Sequence, residues 1–266
     1  MVYAFLEHHI GTKRHTHIVE PDFDVKESVA DEALVAFARM AAGEPLQYVI
    51  GYADFYGRQF RVTPDVLIPR PETELLCREV VTFLRSCKIQ APSKVLDLCT
   101  GSGCIAWTLA LEMPGAEVTA VDISEGALAV ASAQDFADQA SHTGALMPEF
   151  IKADVLAGPA VVQQKYDIIV SNPPYVMDKE KVLMRQNVLD HEPHLALFVP
   201  DDDPLIFYRA VASWAEELLN PGGYCIVEIN EALGPETARI YVDAGFHSVQ
   251  VIKDLSDRDR FVSFRR

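Results

Sequence analysis

From residue 94 onward, short apolar runs alternate with longer stretches that are apolar at every third or fourth position. Segments 94–98, 117–122, 149–154, 167–172 and 224–229 read as strands. Their nearly unbroken apolar character is that of strands covered on both faces. Helical spacing falls at about 105–112, 125–137, 205–219 and 232–244. Such strand–helix alternation predicts a parallel sheet with helices on both faces. The final runs, 247–253 and 260–264, are joined only by the short polar segment 254–259. They predict an antiparallel hairpin at the sheet's end.

The first quarter of the chain follows another pattern. Val29, Ala33, Leu34, Phe37 and Met40 recur at helix spacing and predict one apolar face. Gly43-Glu44-Pro45 stops that helix. Phe55, Phe60, Val62 and Val66 predict a β-hairpin within 46–68, turning at Tyr56-Gly57-Arg58. Pro71 or Thr73 can begin the next helix, over 75–84, with acidic residues in its first turn, and Ala91-Pro92-Ser93 closes the region. His8, His9, His15 and His17 precede the first helix, with no carboxylate or cysteine spacing to support a metal site. They are expected in a solvated loop.

Composition narrows the function classes. The 266 residues suffice for one large domain with a small accessory one. The net charge of −16 repels phosphate backbones at long range and disfavours a nucleic-acid substrate. Five cysteines, an odd number without C-x-x-C spacing, argue against a disulfide framework or zinc and fit a reducing cytoplasm. No apolar stretch approaches the roughly 18 residues of a membrane span, and the N-terminus lacks a signal-peptide layout.

The chemistry concentrates at predicted strand ends, the edge of an open α/β sheet where ligands bind. Asp97 lies near the end of the first strand, and Cys99-Thr100-Gly101-Ser102-Gly103 turns into a helix. The glycines allow close backbone approach to a ligand. The third glycine of a dinucleotide fingerprint is missing, as is a phosphate-loop lysine. Asp97 suits a cationic amino acid group. Asp122, followed by Ile123, lies about 20 residues beyond the turn, where an acid binds ribose hydroxyls. Asp154 and Val155 can frame an adenine amine and ring. Aspartates also cap strand ends, but three such ends with a glycine turn describe a pocket for an uncharged nucleoside carrying an amino acid tail. Asn172-Pro173-Pro174-Tyr175 closes the fourth strand. Two prolines remove two N–H donors, leaving carbonyls that only accept. Asn172 adds an amide and Tyr175 a flat ring. The set suits a planar NH2 group, either an amide or an exocyclic base amine.

Taken together, this order resembles the class I S-adenosylmethionine-dependent methyltransferases: an α/β, Rossmann-like, mostly parallel sheet with an antiparallel C-terminal hairpin. The glycine-rich motif matches Asp97 to Gly103, the ribose acid matches Asp122, and the tetrapeptide is typical of members that methylate planar NH2 groups. Those members include N6-adenine DNA methyltransferases and glutamine N5-methyltransferases. Further strings resemble the peptide chain release factor glutamine methyltransferases. They are Gly43-Glu44-Pro45-Leu46-Gln47-Tyr48, Val66-Leu67-Ile68-Pro69-Arg70-Pro71-Glu72-Thr73-Glu74, Asp190-His191-Glu192-Pro193-His194-Leu195-Ala196-Leu197, and Asn220-Pro221-Gly222-Gly223 followed by Glu228. Cys99 departs from the family's glycine, a change that fits a negative φ. Val155 stands where some members place an aromatic, and residues 1–40 match weakly.

The resemblance implies methyl transfer from S-adenosylmethionine to the side-chain nitrogen of the glutamine in the Gly-Gly-Gln motif of class-1 release factors. Under it, Asn172 joins the cofactor-binding residues, Asn172 and Pro173 accept the substrate N–H bonds, Tyr175 packs on the amide, and Pro174, Arg70 and Glu72 complete the substrate site. No metal is required. It also implies a helical docking segment (1–45), a hairpin linker (46–70) and the methyltransferase domain (71–266), acting as a cytoplasmic monomer without direct nucleic-acid contact. The long segment 176–204 is expected to be a substrate lid. Asp201-Asp202-Asp203 is either a lure for a basic partner or a solvated turn. His191 and Glu192 are expected to shape the channel or hold the loop.

Overall fold

The computed structural model describes residues 5–7, 10–13, 15–20, 22–24, 26–87 and 93–266. His8, His9, Ala91 and Pro92 lie outside them. A one-turn helix, Thr16–Val19, follows His15. Helix α1, Glu27–Ala41, then buries Ala33 and Ala36 and lays Phe37 and Met40 against Phe5. Leu34 does not belong to this face: it is 65% exposed. One residue on from Ala33 is about 100° further round the helix, so the stripe follows Ala33, Ala36, Phe37 and Met40.

Helix α2, Leu46–Ile50, occupies the start of the segment read as hairpin. Pro45 precedes it and Gly51, with φ of 81°, ends it. Strands β1, Tyr52–Phe55, and β2, Arg58–Arg61, pair antiparallel. Tyr56 and Gly57 both have positive φ (50° and 71°), the backbone of a two-residue hairpin turn. Arg58 belongs to the strand, opposite Phe55.

The sheet positions the site. Strands β3 (Lys94–Leu98), β4 (Glu117–Asp122), β5 (Glu149–Lys152), β6 (Tyr166–Ser171) and β9 (Leu219–Glu228) run parallel. Strands β10 (His247–Lys253) and β11 (Asp259–Arg265) form the expected antiparallel hairpin, with β11 on β9. The seven strands lie in the order β10-β11-β9-β6-β3-β4-β5. Chain order reverses between β3 and β6, which puts the topological switch point at Leu98 and Ser171. Ser171 Oγ ties the two strands by donating to the Leu98 carbonyl at 2.8 Å.

Alternate strand residues fill two cores. Val95, Ile168, Val170 and Ile226 pack under α3 (Thr73–Cys87) and α4 (Cys104–Glu112). Leu96, Leu98, Ile169 and Val227 pack under α8 (Ile206–Leu218) and α9 (Gly234–Asp243). Strand β9 begins earlier than expected, through a register shift between Tyr166 and Ile168 of its partner. The single helix expected over 125–137 is broken into α5 (Glu125–Ser132) and α6 (Ala137–Thr143). The cause is Gln134, 6% exposed between them. Its amide bonds the Arg61 N–H and carbonyl and the Ser102 carbonyl at 2.8–3.0 Å. A buried amide that satisfies three backbone groups from two segments outweighs continuing the helix.

Segment 176–204 is built rather than loose. It holds β7 (Val176–Met177) paired with β8 (Phe198–Val199), a 3-10 turn at Asp178–Leu183, and α7 (Gln186–His191). Glu180 accepts from the Met177 N–H and from Asn230 Nδ2, both at 2.8 Å. Asp201 accepts from the Lys179 N–H, and Asp203 pairs with Arg209. Two of the three aspartates are therefore engaged within the chain.

Candidate active site

A cleft with about 1120 Å3 of open volume, its mouth included, sits over the switch point. Its floor is the turn after β3: Cys99, Thr100, Gly101 and Ser102. One wall carries Asp122, Ile123, Asp154, Val155 and Leu156, and the opposite wall carries Asn172 and Pro174. The linker supplies Val66, Leu67, Pro69 and Arg70, and the segment after α7 supplies Pro193, Leu195 and Ala196. The linker reaches this position because Tyr48, Ala53, Val62, Val66 and Ile68 pack on Ala127 and Val130 of α5. The Tyr48 hydroxyl donates to the Val66 carbonyl at 2.6 Å.

The glycine turn is held from three sides. The Thr100 N–H bonds the Val121 carbonyl at 3.0 Å, and the Gly101 N–H bonds Asp122 Oδ2 at 2.9 Å. Thr100 Oγ1 donates to Asp97 Oδ2 at 2.6 Å. Gly103 has φ of 77°, and a Cβ there would stand 3.0 Å from the Ala131 methyl, so the turn requires glycine. Cys99 contradicts the sequence expectation: its φ is +62°, not negative. The tight exit from β3 dictates the backbone, and the side chain carries the strain. Cys99→Gly is therefore expected to raise stability by about 0.5–1 kcal/mol, the left-handed penalty less glycine's entropy. Cys99→Ala keeps the strained φ and gives no such gain. Urea midpoints of the two variants at equal slope measure the difference.

The three aspartates have different environments. Asp97 is fully buried beneath the turn and does not itself line the cleft. Burial pushes its carboxyl up to about 7, against the Thr100 hydroxyl bond. Its Oδ1 has no hydrogen-bond partner. Burial also raises Asp122, opposed by bonds from backbone N–H groups that include those of Ser124 and Gly101. Asp154 is exposed and caps a 3-10 turn, Val155–Ala157, accepting from the Leu156 N–H at 2.9 Å. Beside it, Ile123 and Leu156 are 43% and 44% exposed within the cleft wall. A flat heterocycle would cover this apolar pair.

These features fit S-adenosylmethionine. The orphaned Asp97 oxygen and its negative charge suit an ammonium group, Asp122 suits ribose hydroxyls, and the Ile123, Val155 and Leu156 wall suits adenine. No phosphate-binding lysine is required or present in the lining.

Not every expected residue meets the cleft. Glu72 is exposed and outside the lining. Pro173 is buried behind the lining. Tyr175 is outside the lining and points its hydroxyl into the sheet, donating to Glu228 Oε1 at 3.0 Å, with its ring against the core. Arg70 lines the cleft and is fixed by Glu192, which is 4% exposed and bonds both the guanidinium (2.7 Å) and the Ile68 N–H (3.1 Å). Glu192 thus ties segment 176–204 to the linker. Sequence reasoning assigned no site role to Thr73, Gln134, Phe207 or Glu228. Thr73 and Phe207 line the cleft, and Glu228 is buried behind it. The available signal was a buried acid ending a strand and a threonine inside the Pro-Arg-Pro-Glu-Thr-Glu string.

Comparison with known proteins agrees with this geometry. Residues 79–195 match the family model described as methyltransferase small domain, and residues 2–51 match the PrmC N-terminal domain. The second match corrects the expectation that residues 1–40 would align weakly. The release factor glutamine methyltransferase of Bacteroides thetaiotaomicron is 46% identical over 228 residues, covering 86% of this chain and 78% of that protein. The protein of that name from Flavobacterium psychrophilum is 36% identical over 260 residues, covering 98% and 89%. Among solved structures, a methyltransferase from Pyrococcus furiosus superposes with TM-score 0.53 at 18% identity, covering 86% of this chain and 96% of that one, and shares the fold. The chain belongs to the release factor glutamine methyltransferase family.

Proposed function

We propose that this enzyme methylates the side-chain amide nitrogen of the glutamine in the Gly-Gly-Gln motif of class-1 peptide chain release factors. The observation that carries the reading is Asn172 at the switch point, presenting an amide to a cleft whose opposite wall is built for a nucleoside. S-adenosylmethionine, when bound, supplies a methyl group on a positively charged sulfur. Asp97, Cys99, Thr100, Gly101, Ser102, Gly103, Asp122, Ile123, Asp154 and Val155 would hold it.

The residues of the chain then face one problem. An amide nitrogen is a weak nucleophile because its lone pair is delocalised into the carbonyl. Deprotonation beforehand is unnecessary if the nitrogen is held in line and its N–H bonds are accepted. Asn172 Oδ1, the acceptor that lines the cleft, is fixed by a strand end and two prolines. It stabilises positive charge growing on the nitrogen, which gives up one N–H proton to solvent once it carries the methyl. Tyr175 supports the planar group from the side. Arg70, clamped by Glu192, and Pro174 shape the entrance, with Glu72 at its outer edge. The two glycines that precede the target glutamine carry no side chains and so enter a narrow slot.

Residues 1–45 are proposed to dock the factor, 46–70 to link, and 71–266 to catalyse. The chain works as a monomer in the cytoplasm without contacting nucleic acid. Its net charge of −16 and sequence pI near 4.8 support the last point. No described helix is long and apolar enough to cross a membrane.

Incubation with labelled S-adenosylmethionine and a bacterial release factor tests the reading, beside the same factor with its Gly-Gly-Gln glutamine changed to alanine. Label on the first alone is expected. Label on neither, or on added DNA or RNA instead, contradicts it.

A further inference from the structure

Behind the Asn172 wall, two hydrogen bonds end on one buried carboxylate, and a third links Asn172 to it through a threonine. Glu228, the last residue of β9, is 1% exposed. Its Oε2 accepts from the Thr73 hydroxyl at 2.7 Å and its Oε1 from the Tyr175 hydroxyl at 3.0 Å. Thr73, the first residue of α3, is 2% exposed, and its Oγ1 accepts from Asn172 Nδ2 at 3.1 Å. Burial pushes the Glu228 carboxyl up, while the two hydroxyls and the charge of Arg260 pull it back.

The polarity of this relay follows from proton counting. An ionised carboxylate only accepts. A threonine hydroxyl has one proton, here committed to Glu228. What Thr73 offers Asn172 is therefore a lone pair, and only the NH2 end of the amide can use it. Nitrogen and oxygen occupy opposite branches of the planar amide, so turning Nδ2 to Thr73 turns Oδ1 away from it. Asn172 itself lines the cleft.

We infer that Thr73 and Glu228 are positioning residues that set which end of the Asn172 amide meets the substrate: oxygen toward the cleft, nitrogen toward the protein. The inference rests on the proposed role of Asn172 as acceptor of a substrate N–H. A reversed amide would set donor against donor. The relay also ties both ends of the tetrapeptide, Asn172 and Tyr175, to a single group on a neighbouring strand.

Near-isosteric variants separate this role from packing. Thr73→Val removes the hydroxyl at nearly constant volume, Thr73→Ser keeps it, and Glu228→Gln replaces one acceptor by a donor. In Glu228→Gln, a Thr73 hydroxyl facing the new NH2 accepts from it and turns its own proton to Asn172, drawing Oδ1 off the cleft. Thr73→Val and Glu228→Gln are each expected to lower kcat about 10–100-fold on the release factor. The KM for the factor and the Kd for S-adenosylmethionine should stay within about threefold. Thr73→Ser should recover most of the Thr73→Val loss. Retention of kcat by Thr73→Val and Glu228→Gln overturns the inference, as does a Thr73→Ser loss equal to that of Thr73→Val. Where Thr73→Val fails to fold, Glu228→Gln decides alone.

A second readout needs no substrate. In protein carrying 15N-asparagine, the Asn172 side-chain NH2 signals, assigned by their loss in Asn172→Asp, should shift in Thr73→Val and Glu228→Gln and persist in Thr73→Ser. Unmoved signals in all three sink the relay. Should the wild-type enzyme fail to label the release factor while these signals move as expected, the substrate assignment fails and the relay stands.

Discussion

Replacing Asn172 with alanine is expected to lower kcat by about 100–1000-fold while the Kd for S-adenosylmethionine changes by no more than about threefold. The size follows from the role proposed for the side chain. An oxygen acting on charge that exists only as the methyl passes to the amide nitrogen stabilises the transition state more than the bound reactants. The cofactor is proposed to be held mainly by the turn after β3 and by Asp122, which the substitution leaves in place. Asn172→Asp is the informative companion. It keeps an acceptor oxygen, but a carboxylate has no N–H for Thr73, and its charge would lie near Glu228. Its kcat should fall between those of the wild type and Asn172→Ala. Single-turnover rates with saturating cofactor, beside cofactor titrations by calorimetry, separate the two terms. Equal losses in affinity and turnover for Asn172→Ala would mean that the residue builds the cofactor site instead.

Asp97→Asn is expected to move stability and affinity in opposite directions. Asp97 is wholly buried, one oxygen is unpartnered, and its carboxyl is pushed up to about 7 by burial. A carboxyl with a folded-state pKa above its unfolded value of about 3.8 binds its proton more tightly when folded. Its contribution to stability therefore falls as pH rises through the window from about 3.8 to about 7, and the full cost is present above it. The neutral amide escapes that cost. Ligand-free Asp97→Asn should melt higher than wild type at pH 8, with the advantage gone by about pH 4 and a ceiling on the order of 4 kcal/mol. The same change removes the negative charge under the glycine turn, so affinity for S-adenosylmethionine should drop about 10–100-fold, the worth of a hydrogen bond to a charged group. Melting curves at several pH values and a cofactor titration test both halves. Unchanged affinity would remove Asp97 from the cofactor site, and an unchanged melting temperature at pH 8 would show that the carboxyl is already neutral there.

The parallel strands were legible because burial on both faces leaves them almost continuously apolar, with Asp97 and Thr119 as the buried polar residues inside: Lys94–Leu98 and Glu117–Asp122 have the bounds that the apolar runs give. The tetrapeptide and the aspartates were legible because they end those runs, and a strand end at a switch point is where chain geometry collects side chains. What escaped is non-local. Nothing around Gln134 announces that its amide will be consumed by Arg61 and Ser102, so the break between α5 and α6 could not be read. The φ of Cys99 belongs to the turn that Thr100 and Gly101 make with β4, not to the cysteine. Leu34 and Ala33 are adjacent, and which of them faces inward depends on where Phe5 and α2 lie. Thr73 and Glu228 are separated by 155 residues, and their bond exists only because α3 begins at the end of β9. Segment 176–204 lacks strong periodicity, and its order comes from Glu180 and Glu192 reaching across to Asn230 and Arg70.

The most direct test of the account is tandem mass spectrometry of the release factor after reaction with S-adenosylmethionine and this enzyme. The account predicts one added methyl, carried by fragment ions that place it on the side chain of the Gly-Gly-Gln glutamine, and its loss when Asn172→Ala replaces the wild type. A methyl on any other residue, or an unmodified factor in a reaction that methylates nucleic acid, would contradict it.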